Sequence, residues 1–240
     1  TGTTTCVCVP HADWIAKDRA GLTFCDAASA AFLVDLPWEK LDVTTFSCQK
    51  VLGGEASFGF LVLSPRAMER LAQYTPVWPI PRLMRLKQEG AILEDVFHVQ
   101  VINTISLLVV EDFLNILTWV DQIGGVQALR RHTQANYRYM EEWLERQSDF
   151  TYFVSDPAVR AMTPVGLVPT CDAFTERSAE GQWQYLARIT DSLAKERFAL
   201  DVLGHRKSAP HLRFWTGPTV SSTDLICAIE GLSWVYTQKR

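Results

Sequence analysis

Apolar and polar positions change rhythm twice along the chain. Through the first third, short runs rich in Val, Thr, Phe and Leu recur between turn residues. They predict strands over 4–9, 21–25, 43–47 and 58–63. Residues 27–33 and 65–74 fall between these runs and predict helical turns. Strands alternating with helices predict an α/β arrangement around a largely parallel sheet buried on both faces. Pro76, Pro79 and Pro81 then break the pattern in a loop that carries Trp78.

The middle of the chain takes up the helical period. Residues 105–120 are apolar on most sides, which predicts a helix buried between layers, and Gly124-Gly125 ends it. Val126, Leu129, Thr133, Tyr137, Met140 and Leu144 then recur at spacings of three and four, the mark of an amphipathic surface helix. The rhythm changes again after residue 147. Strands are predicted over 151–154, 165–169, 200–203 and 212–215. A long helix over 178–198 turns Trp183, Leu186, Thr190 and Leu193 inward. A terminal helix begins near Ser221, with cap residues Ser-Ser-Thr-Asp and the buried stripe Leu225, Ala228, Ile229 and Leu232. Three parts follow from these changes: 1–125, a connecting helix over 126–147, and a compact α+β domain over 148–240. No internal repeat or low-complexity tract interrupts them.

Composition narrows the function more by exclusion than by assertion. With 240 residues, 48% of them hydrophobic, the chain can bury a sizeable core. A net charge of −4 leaves no electrostatic footprint for nucleic acid, so an anionic substrate would need a local cluster of Arg and His. The six cysteines form no CxxC pair or Cys/His cluster, and neither a metal site nor a disulfide framework is expected. They read as small buried residues in a reducing compartment, which points to the cytoplasm. The longest strongly apolar run, 105–110, is too short to span a bilayer, so no membrane partner is expected. No charged leader with a cleavage site opens the chain, and TGTTTCVCVP reads as a loop entering a strand, as if the chain began inside a domain.

Three features carry candidate chemistry. Asp26 ends the strand run Leu22-Thr23-Phe24-Cys25. An acid there lies at the edge where α/β sheets bind ligands, or it caps the helical turn that follows. Lys50 follows the third strand and precedes Gly53-Gly54, where a lysine is either a solvated charge or an amine at a strand's C-terminal edge. A pyridoxal-phosphate (PLP) enzyme needs a lysine for a Schiff base and an acid beside the pyridine nitrogen, and consecutive strand ends can supply both. His205, Arg206 and Arg213 form a basic cluster around the strand at 212–215, either a solvated turn or an anion site in which Arg213 grips a carboxylate. Arg160 is a weaker candidate of the same kind. Asn103-Thr104 either caps the helix after it or offers donors to a phosphate.

At these residues the chain resembles the phosphoserine aminotransferases, a class V family of fold type I PLP enzymes. The resemblance runs over essentially the whole chain. It includes Gly2-Thr3-Thr4, Cys25-Asp26-Ala27, Thr45-Phe46-Ser47 and the stretch from Gln49-Lys50 to Gly53-Gly54-Glu55. It continues through Ile102-Asn103-Thr104, Val110-Glu111-Asp112, Gly204-His205-Arg206 and Leu212-Arg213 with Trp215. Its implied fold is the remainder of a cofactor-binding large domain, incomplete at its N-terminus, plus the small domain. In the implied chemistry Lys50 holds PLP as a Schiff base and moves the substrate proton, while Asp26 pairs with the pyridinium nitrogen. Thr3 and Gln49 would contact the cofactor, and Asn103 and Thr104 the phosphate of a neighbouring subunit's PLP, in a homodimer with shared sites. Arg213 would hold the substrate carboxylate, with His205 and Arg206 binding the phosphate of phosphoserine. The reaction implied is transamination of O-phospho-L-serine with 2-oxoglutarate, giving 3-phosphohydroxypyruvate and glutamate, a step of serine biosynthesis.

The chain departs from the family pattern at several points. Cys48 stands where Trp is usual, Cys6 and Cys8 replace an expected Gly and Arg, and Ile105 replaces a Pro after Asn-Thr. Roughly the first third of a family member has no counterpart, and with it a phosphate-binding loop and the aromatic residue stacked on the pyridine ring. Two alternatives therefore stay open. One is an inactive PLP-fold remnant that binds or dimerises; the other is a class V aminotransferase with a different substrate.

Overall fold

The computed structural model describes residues 4–56, 59–98, 101 and 104–238. A three-stranded sheet opens the fold: β1 (Phe24–Asp26), β2 (Val43–Ser47) and β3 (Gly59–Leu63), in that order. β1 and β2 are parallel, with Asp26 opposite Thr45, whereas β3 returns antiparallel to β2. The sheet is thus mixed rather than largely parallel. Among the described residues between β2 and β3 there is no helical crossover of the kind that would restore direction. The expected strand over 4–9 is reduced to one bridge, Val7 with Arg160, and that over 200–203 to Leu203 with Leu212.

Asp42, just before β2, ties the sheet to its surroundings. Its carboxylate is only 3% exposed, and accepts from the Thr23 N–H at 2.8 Å, Arg19 at 2.7 Å and the Ser64 hydroxyl at 3.0 Å. Burial alone would raise its pKa, but these hydrogen bonds and the Arg19 charge outweigh it and hold the carboxyl below its usual range. Ser64 then caps α1 (Pro65–Gln73) by accepting the Ala67 N–H, with Pro65 preset at the first helical position. A small hairpin, β4 (Lys87–Gln88) and β5 (Ala91–Ile92), follows the proline-broken loop.

α2 (Leu107–Gln122) and α3 (Gly125–Glu145) pack together. The expectation that the apolar helix is buried on most sides does not hold. Only Ile116 and Val120 of α2 are buried, while Leu107 and Leu108 are 80% and 77% exposed, because α3 and the 48–55 turn cover just one face. α3 has Leu129 in one core with Leu33, Val51, Leu52, Ile116 and Val120, and Met140 and Trp143 in another.

That second core is much the larger. An antiparallel sheet of β6 (Phe150–Tyr152), β7 (Val165–Pro169) and β8 (Leu212–Phe214) packs on α5 (Ala179–Lys195) and α6 (Ser222–Thr237), with the short α4 (Asp172–Thr175) beside them. Both long helices begin at serine caps, Ser178 accepting the Gly181 N–H and Ser221 the Asp224 N–H. Val165, Leu167, Leu186, Leu193, Leu212, Ile229 and Leu232 are fully buried between the layers.

Candidate functional site

β8 sets one wall of the site through its two-residue period. Leu212 and Phe214 face the core, so Arg213 and Trp215 point the opposite way. The Arg213 N–H donates to the Val202 carbonyl at 2.7 Å, which fixes the backbone below the guanidinium. Among the described residues no carboxylate pairs with that guanidinium. Both side chains line a cavity of about 620 Å³, and Lys50, Gln49, Thr4, Ser29 and Asp201 line it too. An amine from the end of β2 and a guanidinium from β8 therefore converge on one space, although 163 positions separate them in sequence.

The turn that carries Lys50 is built from close backbone approaches. Gly54 N–H closes it on the Cys48 carbonyl at 3.0 Å. Gly53 has φ +72°, and a Cβ there would meet Thr219 Cγ2 at 2.6 Å. Thr219 in turn accepts the Trp215 indole N–H at 2.9 Å, so the wall bearing Arg213 leans on the turn bearing Lys50. Cys48, two residues before Lys50, is buried; that burial, with the nearby Asp112 charge second, pushes its thiol pKa up. It packs as a small apolar residue.

Asp26 lies at the C-terminal end of β1, alongside the strand that leads to Lys50. Its Oδ1 accepts the Ala28 N–H at 3.0 Å, so it caps the turn after the strand. It lines a second cavity, about 630 Å³, on the side of residues 8–15 and 33–41. Ser29, one turn on, lines both cavities. Asp26 thus caps the turn at a strand's C-terminal end and does not line the Lys50 cavity.

Of the remaining candidates, those among the described residues stand apart from the Lys50 cavity. Thr104 is exposed just ahead of α2, and Thr3 and Asn103 lie outside the described residues. His205 and Arg206 are exposed at the tip of a loop. His205 anchors that tip: its carbonyl accepts from Ser208 and its Nδ1 from the Lys207 N–H at 3.2 Å. The base of the loop is His211, fully buried, stacked 4.1 Å from the Phe153 ring and hydrogen-bonded through Nδ1 to the Ala209 carbonyl at 2.8 Å. Burial pulls its pKa down; the Ala209 bond opposes this and the Arg213 charge adds to it. Arg160 donates to the Val154 and Ser155 carbonyls and stacks on Tyr152, so its guanidinium is taken up by local structure. Trp215, Ser29 and Thr219 were not singled out as site residues from sequence. Only Trp215 carried a usable signal, sitting two positions after Arg213 on a strand.

No family model matches the chain. It is 40% identical to the phosphoserine aminotransferase of Methanosarcina barkeri over 235 residues, and 39% identical to that of Methanosarcina mazei. Each alignment covers 98% of this chain and 61% of the relative, so the chain spans about three-fifths of those proteins' length. A PLP-bound phosphoserine aminotransferase from Trichomonas vaginalis superposes with a TM-score of 0.70 at 16% identity, over 90% of this chain and 55% of that one. The chain has the fold type I architecture of these enzymes.

Proposed function

Taking the chain as a homologue of the phosphoserine aminotransferases with their fold, we propose that it exchanges amino groups between O-phospho-L-serine and 2-oxoglutarate, with PLP as cofactor. The observation that carries this reading is the convergence of Lys50 and Arg213 on one cavity. Its volume of about 620 Å³ falls in the ordinary range for cofactor and small-ligand sites. The donor set suits PLP: a primary amine, an acid at the neighbouring strand end, and a guanidinium not paired with any described carboxylate. When bound, PLP supplies an electron sink that makes the substrate Cα–H acidic.

The chain's own residues do the rest. Lys50 would hold the cofactor through its Nζ and would serve as the base that takes the proton from Cα. Asp26, at the end of the neighbouring strand, would pair with the ring nitrogen, and Gln49 and Thr3 would orient the cofactor. Arg213 grips the substrate α-carboxylate with two parallel N–H donors, which aims the Cα–H at Lys50. Phosphoserine plus 2-oxoglutarate becomes 3-phosphohydroxypyruvate plus glutamate, with one amino group transferred and no net redox change.

The phosphate is to be met by His205 and Arg206, and the cofactor phosphate by Asn103 and Thr104, acting on a partner's site in a homodimer. Exposed apolar side chains support this pairing, from Val77 and Trp78 through Met84 to Leu107 and Leu108. The six cysteines are free, which supports a reducing, cytoplasmic setting. Among the described residues no helix is long and apolar enough to cross a membrane, and no group of side chains could hold a metal ion.

The test is glutamate formation from phosphoserine and 2-oxoglutarate by the purified chain supplied with PLP, beside Lys50→Ala and Arg213→Ala. Turnover that vanishes in the first variant and loses carboxylate affinity in the second is expected. Equal turnover in wild type and Lys50→Ala would overturn the reading. A second reading, a fold that holds PLP without turning over, draws on the separation of His205, Arg206 and Thr104 from the Lys50 cavity. It predicts cofactor binding with no glutamate formed.

A further inference from the structure

Lys50 lies on a turn without helix or strand of its own, yet a proton carrier must be held to within a fraction of an ångström of its target. On the reading of Lys50 given above, we propose that Asp112 is its positioning residue, acting through the backbone of the 48–55 turn. Asp112 sits in the second turn of α2, and its Oδ2 accepts the Glu55 N–H at 3.0 Å. The same oxygen lies 3.0 Å from where a Gly54 Cβ would be, and Ile116 Cδ1, one helical turn on, lies 2.4 Å from that point. Only a glycine lets the backbone come this close to the helix. The carboxylate thus fastens the turn where its backbone comes closest to α2.

The rest of the turn is already fixed, which is what gives that bond its leverage. Val51 and Leu52 are buried with Ile116 and Val120, Cys48 is buried at the entry, and Gly53 abuts Thr219. Lys50 lies between the two buried ends, so its backbone follows theirs. A hydrogen bond from a backbone N–H to a carboxylate is charge-assisted, stronger than the amide–amide bonds that close ordinary turns. Asp112 needs no contact with cofactor or substrate to act in this way.

The experiment is the rate at which borohydride traps PLP on Lys50 in the full chain, followed across pH and located by peptide mass. Asp112→Ala is expected to lower the plateau rate roughly tenfold to a hundredfold, the span for losing a hydrogen bond to a charged group. Asp112→Asn keeps an acceptor oxygen in place and is expected to stay within about threefold of wild type. The pH midpoint of trapping is expected to remain where it is, because geometry and not the charge state of Lys50 has changed. Gly54→Ala, which drives the turn off α2 with the carboxylate intact, should fall like Asp112→Ala. Ile116→Ala added to it should recover much of the loss, so the test survives if Asp112→Ala does not fold. Wild-type trapping in Asp112→Ala, or equal losses in Asp112→Ala and Asp112→Asn, would overturn the proposal. Trapping that persists in Lys50→Ala would instead sink the assignment of Lys50 itself.

Discussion

The two ends of the chain solve the burial problem differently. From the second half of α3 onward, β6, β7, β8, α5 and α6 enclose a single core of eighteen buried side chains, from Met140 to Tyr236. Ahead of it, the described residues form only two small buried clusters, one of them just Ala27, Ala30 and Ala31. Apolar side chains there face outward: Phe24 is 73% exposed on β1, and Trp78 81% exposed in the proline-rich loop. The C-terminal part is thus stabilised by its own packing. The N-terminal part is held by polar ties and leaves large apolar side chains exposed. Lys50 belongs to the second region and Arg213 to the first, so the site exists only where the two meet.

Substitutions can sharpen this contrast. The largest effect is expected in the C-terminal core, where Leu186→Ala should cost about 2–5 kcal/mol in denaturant unfolding, the range for emptying a well-packed leucine site. Next comes the polar tie of the N-terminal region. Asp42→Ala leaves Arg19 and the Thr23 N–H without their acceptor and should cost about 3 kcal/mol, read from a probe in β1–β3 such as hydrogen exchange. Because the folded-state pKa of Asp42 is lowered, its contribution is complete above the unfolded value of about 3.9 and fades as pH falls through the folded one. Acid should therefore loosen the sheet in wild type, with that dependence missing in the variant.

A smaller, pH-dependent effect is expected at His211. Its pKa is lowered on folding, so its neutral form is favoured, and stability should decline as pH falls below about 6.5 toward the folded-state pKa. His211→Phe should flatten that part of the pH–stability curve, measured by thermal unfolding between pH 7 and pH 5. The smallest stability change belongs to the exposed leucines of α2. Leu107→Lys with Leu108→Lys should move unfolding by no more than about 0.5 kcal/mol each while shifting sedimentation toward monomer.

Much of the C-terminal region was legible because its elements carry their own instructions. Ser178 and Ser221 announce helix starts, and the stripe Leu225, Ala228, Ile229 and Leu232 matches the buried face of α6. Misreadings concentrate where burial depends on something other than the local pattern. The apolar run at 105–110 looks the same whether or not a partner element covers Leu107 and Leu108. The antiparallel direction of β3 beside β2 is something that alternation along a strand does not encode. At the site, Asp26 and Lys50 stood out as charged residues at strand ends, and Arg213 as part of a basic cluster. Asp112, Ser29 and Thr219 offered no such signal, because their contacts join residues up to 166 positions apart.

Among the described residues Lys50 is the one lysine that lines the cavity shared with Arg213, and on the reading proposed above it is the one that holds PLP. Reducing the purified chain with borohydride after incubation with PLP, then mapping the modified peptides by mass, tests it directly. The account predicts the added pyridoxyl group on Lys50, displaced in advance by phosphoserine and only weakly so in Arg213→Ala. Label spread over other lysines, or unaffected by phosphoserine, would contradict it.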